Sequence, residues 1–200
     1  MLKLYGIAPV DRSGRVRWML HELGVPFEDR WLKWREGELD TPEFRAISPL
    51  GKVPAIEAEG TTLCETSVIL DWLGRKYGTA SLDPSTHTAD GYASWMAMAS
   101  ATMDPLCFEF VRPDVKPEDR PARRLQASRD LSRAVMPALR AALADRDTVL
   151  EAGFCAVDIQ VAASLHYADA GQQLAEEPRL KAWLDQMRAR PAAVASKLFG

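Results

Sequence analysis

The sequence predicts two structural classes in series, an α/β N-terminal domain and an all-α C-terminal helical bundle, and three observations carry this reading. Short strand and helix signals alternate from residue 1 to about 78, a stretch rich in Gly, Pro, Ser and Thr follows, and strand alternation then almost disappears. With 200 residues, 47% of them hydrophobic and 26% charged, the chain is long enough to bury one large core or two small ones.

Taken in order, Leu2 to Tyr5 reads as a short strand. Arg15 to Leu23 carries Val16, Met19, Leu20 and Leu23 at helical spacing, with Gly24 as the stop. Phe27 to Leu32 is a second strand and Pro42 to Ile47 a short helix. Pro54 to Glu57 and Thr62 to Cys64 flank a Glu59-Gly60 turn as a hairpin. A helix from Glu65 to Tyr77 ends at Gly78. Strand, helix, strand, helix, strand, strand, helix is the order of a thioredoxin-like unit, assigned to residues 1–78. Residues 79–86 are the linker. Residues 87–200 are the helical domain, with segments expected at about 87–110, 117–144, 156–170 and 179–189 between breaks that contain proline or glycine.

Composition narrows the function. A formal charge of -3 supplies no general attraction to nucleic acid or to an anionic membrane, so neither is an expected partner. No apolar run approaches the ~20 residues that span a bilayer. The opening Met1-Leu2-Lys3-Leu4-Tyr5-Gly6 lacks the long apolar stretch and cleavage site of a signal peptide, so the expected compartment is the cytoplasm. Cys64, Cys107 and Cys155 form no CxxC pair, and His21, His87 and His166 lack metal-ligand spacing, so no metal is expected.

One segment is more specific. Ser48-Pro49-Leu50-Gly51-Lys52-Val53-Pro54-Ala55-Ile56 precedes Glu65-Thr66-Ser67, which open a helix just after a strand. A helix N-terminus offers unpaired N–H groups and partial positive charge to a carboxylate. Read by themselves, Pro54 opens a strand and Glu65 and Thr66 cap a helix. Together the motifs resemble the glutathione site of glutathione S-transferases. The likeness extends to Leu4-Tyr5-Gly6, Arg15-Val16-Arg17-Trp18-Met19-Leu20, Leu23-Gly24-Val25-Pro26-Phe27 and Thr41-Pro42-Glu43-Phe44. Gly153-Phe154-Cys155-Ala156-Val157-Asp158-Ile159 matches the family's capping motif in the helical domain, with Asp158 as a structural residue.

The resemblance implies that glutathione is the co-substrate. It also implies a cis bond before Pro54, with the Val53 backbone pairing to the cysteinyl part of glutathione. Thr66 and the helix N–H groups would hold the γ-glutamyl carboxylate, Glu65 its ammonium, and Lys52 the glycine carboxylate. A small hydrophobic electrophile would be the second substrate and a homodimer the assembly. Tyr92, Met96, Met103 and Phe108 are candidates for its pocket, alongside Trp95 and Ala99 on the same helix, and core packing is the alternative role for each.

The chain departs from the family pattern where the thiol is activated. Counting back from Arg15, the usual serine position falls on Asp11 and the usual cysteine position on Arg12. An ionised Asp11 would repel a thiolate and suits a cap better. Arg12 by charge and Ser13 by hydrogen bonding are the two catalytic candidates, with Ser13 also a natural helix cap. The absence of cysteine at positions 11 to 13 disfavours mixed-disulfide chemistry, which would otherwise fall to Cys64 or Cys107. Leu39 stands where many members carry a basic contact to glutathione, which leaves Lys52, Lys33 and Arg35 to compensate. Two readings follow: a glutathione transferase, or a non-catalytic relative that binds glutathione or a protein partner.

Overall fold

The computed structural model describes residues 1–200, and its packing divides them into two units, Met1–Pro84 with Arg190–Gly200, and Ser85–Ala189. The first unit is built on four strands, β1 (Leu2–Gly6), β2 (Phe27–Trp31), β3 (Ala55–Ala58) and β4 (Thr61–Cys64), in the order β2-β1-β3-β4. β1 runs parallel to β2, with Leu4 opposite Asp29, and antiparallel to β3, with Leu4 opposite Ile56. Period-two alternation puts Leu2, Leu4 and Gly6 on the buried face and leaves Lys3 and Tyr5 partly exposed on the other. Both turn residues of the β3–β4 hairpin have positive φ, 52° at Glu59 and 79° at Gly60, as a tight two-residue connection requires. This is the thioredoxin-like sheet read from the sequence.

Helix α1 (Ser13–Leu23) buries Val16, Trp18, Met19 and Leu20, and Gly24 ends it in the left-handed conformation. Helix α2 (Pro42–Ile47) starts under a Thr41 cap whose hydroxyl accepts from the Phe44 N–H at 3.3 Å. Helix α3 (Thr66–Tyr77) buries Ile69, Leu70 and Leu73. The stretch expected as a linker instead makes two short 3-10 turns, Ala80–Leu82 and Pro84–Thr86. The first lies so close to α3 that a Cβ at Gly74 would sit 2.8 Å from the Leu82 carbonyl.

The second unit is all helix. Helix α4 (Ala89–Ala97) passes through a π-helical stretch, Met98–Met103, into α5 (Asp104–Phe108). Helix α6 (Arg120–Asp130) passes through a second, Leu131–Val135, into α7 (Met136–Ala142). The sequence reading has one continuous helix in each place. Each widened turn lies just before a proline, Pro105 or Pro137, whose ring would collide with a carbonyl one turn back in a regular helix. Helix α8 (Ala156–Ala170) is buried on nearly all sides. Its Gln160 donates to the Ser100 hydroxyl at 2.9 Å and its Ser164 to the Asp104 carboxylate at 3.1 Å, which satisfies polar groups inside the bundle. Helix α9 (Pro178–Ala189) closes the unit around a fully buried Trp183.

A further helix, α10 (Pro191–Ser196), was not expected from the sequence, and its contacts are with the first unit. The reason is local. Pro191 reads as a breaker but occupies the first turn, where a missing N–H costs nothing.

Candidate functional site

A cavity of about 230 Å³ opens in the first unit where three stretches of chain meet. The loop before β3 contributes Ser48, Leu50, Lys52, Val53 and Pro54, the β4–α3 junction contributes Cys64, Glu65 and Thr66, and the β1–α1 loop contributes Arg12. All five residues singled out from the sequence as glutathione contacts therefore line one space, together with one of the two catalytic candidates.

The loop before β3 is held by its own side chains. Ser48, fully within the fold, donates to the Lys52 carbonyl at 2.8 Å and accepts from the Lys52 N–H at 3.2 Å. Gly51 has φ of 60°, and a Cβ there would stand 2.7 Å from both the Arg45 guanidinium and the Leu39 carbonyl. The loop thus ends in a fixed Val53-Pro54 peptide, which is cis, with Lys52 exposed and Val53 half-buried. Leu39 takes part in this fixation through its backbone, while Lys33 and Arg35 are engaged elsewhere, Lys33 with Glu36 at 3.2 Å and Arg35 over the Trp34 ring.

The β4–α3 junction has an unusual backbone. Glu65 has φ of 71° and ψ of 119°, sterically unfavourable for a residue with a Cβ, and its side chain makes no cap hydrogen bond to the helix that follows. The first turn of α3 contains no acidic residue. Its orphan N–H groups and partial positive charge are therefore offered to the cavity beside the exposed Glu65 carboxylate. Thr66, 8% exposed, is the first residue of that helix.

The β1–α1 loop separates its three polar residues. The Asp11 carboxylate accepts from the N–H groups of Ile7 at 2.7 Å, Ala8 at 2.9 Å and Ser13 at 2.5 Å, so it ties the loop together rather than facing the cavity. Ser13 is fully buried, its hydroxyl near the Arg17 guanidinium at 3.4 Å and pressed against β1, where a Cβ on Gly6 would lie 2.3 Å away. Only Arg12 of this group lines the cavity. Tyr5 on β1 does not line the cavity; its hydroxyl bonds Glu57, and burial first, with that carboxylate second, pushes its pKa up to about 12.

The candidates for a hydrophobic pocket lie in the helical unit. Met103 is fully buried and Tyr92 and Met96 nearly so, at 5% and 6% exposure, while Phe108 is half-buried, its ring 5.6 Å from that of Tyr167. In this conformation Phe108 alone of the four offers substantial surface. Cys107 is buried and Cys64 is half-exposed at the cavity. Cys155 begins α8, where its side chain accepts from the N3 backbone and Asp158 accepts from the Cys155 N–H at 2.9 Å and the Val149 N–H at 2.8 Å. Burial and the Asp158 charge push the Cys155 thiol up to about 12, which keeps it inert. No group of three or more His, Cys, Asp or Glu side chains is arranged to hold a metal, and no helix is long and apolar enough to cross a membrane.

Sequence reasoning did not single out Ser48, Leu50 or Cys64 as lining residues. Ser48 carried a signal, a serine before proline four residues ahead of the loop's end, the pattern of a side chain that closes a turn on its own backbone. Leu50 and Cys64 carried none.

A thioredoxin-like sheet, a cis-proline loop and an open helix N-terminus around one cavity define a class of thioredoxin-fold proteins with an appended helical bundle. The family model described as the glutathione S-transferase N-terminal domain matches residues 12–76. Glutathione S-transferase 3 of maize (Zea mays) is 26% identical over 204 residues, which cover 96% of this chain and 90% of that protein. Glutathione S-transferase 3 of Schizosaccharomyces pombe is 38% identical over 98 residues, 48% of this chain, and the match spans 40% of the yeast protein's length. Among solved structures, glutathione transferase F7 of Populus trichocarpa superposes with a TM-score of 0.84 at 25% identity, covering 99% of both chains. Residues 12–76 match the glutathione S-transferase N-terminal domain, and over its whole length the chain is similar to glutathione S-transferases in sequence and fold.

Proposed function

We propose that the protein binds glutathione in this cavity and transfers its thiolate to a small hydrophobic electrophile. The observation that carries the reading is the convergence of Lys52, Val53, Pro54, Glu65, Thr66 and Arg12 on a single space. The charges of the ligand and of the lining are complementary along the cavity. An α-carboxylate meets the N-terminus of α3 and the Thr66 hydroxyl, an ammonium meets Glu65, and a glycine carboxylate meets Lys52. The backbone of Val53 pairs with the cysteinyl residue, which sets the thiol near Arg12.

A free thiol has a pKa of about 8.5, and a neighbouring guanidinium favours its ionised form. Arg12 is therefore the residue assigned to stabilise the thiolate, and Ser13, turned inward, is not. The sulfur then forms a bond to an electrophilic carbon of the second substrate, which either expels its leaving group as an anion or, where the carbon is part of an activated double bond, takes up a proton from water; the helical half would hold this substrate with Phe108 among its contacts. Proximity and thiolate stabilisation supply the acceleration. We take the working assembly to be a homodimer in the cytoplasm, which equilibrium sedimentation and cell fractionation would check.

The withdrawal of Asp11 and Ser13 into the loop favours one second reading, a relative that binds glutathione without turning it over. Calorimetric titration of glutathione, with the ultraviolet absorbance of the bound thiolate followed against pH, separates the two. Transfer requires a bound thiol pKa well below 8.5 in the wild type, restored toward that value in Arg12→Ala and unchanged in Ser13→Ala. Binding with an unshifted thiol leaves the non-catalytic reading, and no binding removes both.

A further inference from the structure

The final residues of the chain pack along α1 and meet it at three points. Arg190 bonds the Glu22 carboxylate at 2.7 and 3.0 Å near the helix's C-terminal end. In the middle, the buried Arg17 guanidinium, clamped on Asp29 at 2.8–3.1 Å and stacked 4.5 Å over the Trp31 ring, reaches the Ser196 carbonyl at 3.5 Å. At the N-terminal end Leu198, 2% exposed, fills the place a side chain at Gly14 would take: a Cβ there would lie 2.7 Å from a Leu198 methyl and 2.6 Å from the Pro9 carbonyl.

This third contact bears on the site. Gly14 is clasped between Leu198 and the carbonyl of Pro9, which belongs to the β1–α1 loop. The Gly14 N–H in turn donates to the Asp11 carbonyl at 3.0 Å and the Arg15 N–H to the Arg12 carbonyl at 3.2 Å. Loop and helix start are therefore one closed piece, tied inside by the Asp11 carboxylate and backed outside by Leu198, and Arg12 projects from it into the cavity. The chain turns sharply to deliver Leu198. Lys197 takes φ of 58°, and the buried Ser196 hydroxyl donates to the Ala193 carbonyl at 2.6 Å and accepts from the Leu198 N–H at 3.2 Å.

We propose that the C-terminal segment is a positioning element for the cavity, with Leu198 as its working residue: pressed on Gly14, it holds the β1–α1 loop in the one conformation that presents Arg12. The proposal rests on the glutathione reading only for its functional consequence, because the loop's rigidity can be measured without ligand.

The test is amide hydrogen exchange on the full-length protein without ligand, comparing wild type with Leu198→Ala, Leu198→Met and Phe199→Ala. Phe199 packs edge-on against Trp18 at 5.5 Å, one turn beyond Gly14 along α1, and serves as the control for simple loss of tail packing. Leu198→Ala is expected to speed exchange of the Ile7, Ala8 and Ser13 amides at least tenfold while the β3–β4 amides stay as protected as in the wild type. Leu198→Met should restore the slow rates, and Phe199→Ala should leave them slow. Unchanged loop exchange in Leu198→Ala overturns the proposal, and so does a uniform loss of protection across the unit, which would make the tail a general brace.

With glutathione bound, Leu198→Ala should raise the thiol pKa toward that of Arg12→Ala, and the double variant should show no further rise. A wild-type thiol that binds with an unshifted pKa defeats the transfer reading and leaves the exchange result to decide the role of the tail.

Discussion

Two helices in this molecule begin in opposite ways. At the start of α8 the chain caps itself: the Asp158 carboxylate takes the N–H groups of Val149 and Cys155, the Cys155 side chain takes the N3 N–H, and both residues are buried. At the start of α3 the cap position has φ of 71°, no side-chain cap bond, no acidic residue in the first turn, and an exposed carboxylate beside a cavity. The first arrangement stabilises the fold and leaves nothing for a ligand. The second forgoes stability and keeps its N–H groups and charge available.

Cutting a carboxylate at each start is the sharpest way to break this comparison. Asp158→Ala strands two buried N–H donors and is expected to cost about 3 kcal/mol or more in denaturant unfolding followed by tryptophan fluorescence. Glu65→Ala should stay within about 0.5 kcal/mol of wild type, as an exposed side chain without partners should, while weakening glutathione binding at least tenfold in calorimetry. Equal stability losses at the two positions would show that α3 is capped as α8 is.

Acid sharpens the same contrast. Burial lifts the Asp158 carboxyl from the ordinary range up to about 6, against the lowering effect of the Val149 and Cys155 N–H groups. The folded form therefore holds its proton more tightly than the unfolded chain does. This group's stabilising contribution is full below about pH 4 and is lost as pH rises through about 6, a change on the order of 3 kcal/mol for a shift of this size. Unfolding free energies of wild type and Asp158→Asn measured from pH 4 to 7 should differ in slope accordingly, and parallel curves would remove the effect.

How much of this was legible in the sequence follows from how local each feature is. The four strands, α1 to α3 and α8 are written in periodicity and in short-range stop signals such as Gly24 and Glu59-Gly60, and the structure has them within a residue or two at their ends. The capping box was reached through family likeness, because Cys155 in place of Ser or Thr hides its three-residue spacing from a local rule. The convergence of Arg12 with Lys52 and Glu65 was suggested only through family likeness, since no local rule brings residue 12 to residue 65. The inward turn of Ser13 was not legible at all: it depends on Gly6 leaving room and on Asp11 folding back, two non-neighbouring conditions that spacing does not encode. Helix α10 was missed for a similar reason, since a proline-led run of small residues acquires a structure only by packing on α1.

Backbone strain gives a smaller effect of the opposite sign. Glycine accepts φ of 71° without a Cβ collision, so Glu65→Gly is expected to raise the unfolding free energy by about 1 kcal/mol even as it removes the ammonium contact. A variant that gains stability and loses affinity is what a helix start shaped for a ligand should produce. If Glu65→Gly is neutral in both measurements, the unusual backbone there belongs to the fold alone.

The smallest expected change concerns the sulfur in the α8 box. A serine hydroxyl accepts an N–H better than a thiol of the same shape, so Cys155→Ser should add about 1 kcal/mol if the N-cap side chain contributes as caps usually do. Thiol labelling in the folded protein offers the matching check, because Cys64 is half-exposed at the cavity while Cys155 is buried with its pKa pushed up to about 12. Iodoacetamide should therefore modify Cys64 first and reach Cys155 only on unfolding. Should Cys155→Ser leave stability unmoved while Cys155 still resists labelling, Asp158 alone closes the start of α8, and the difference between the two helices reduces to one carboxylate turned inward and one turned out.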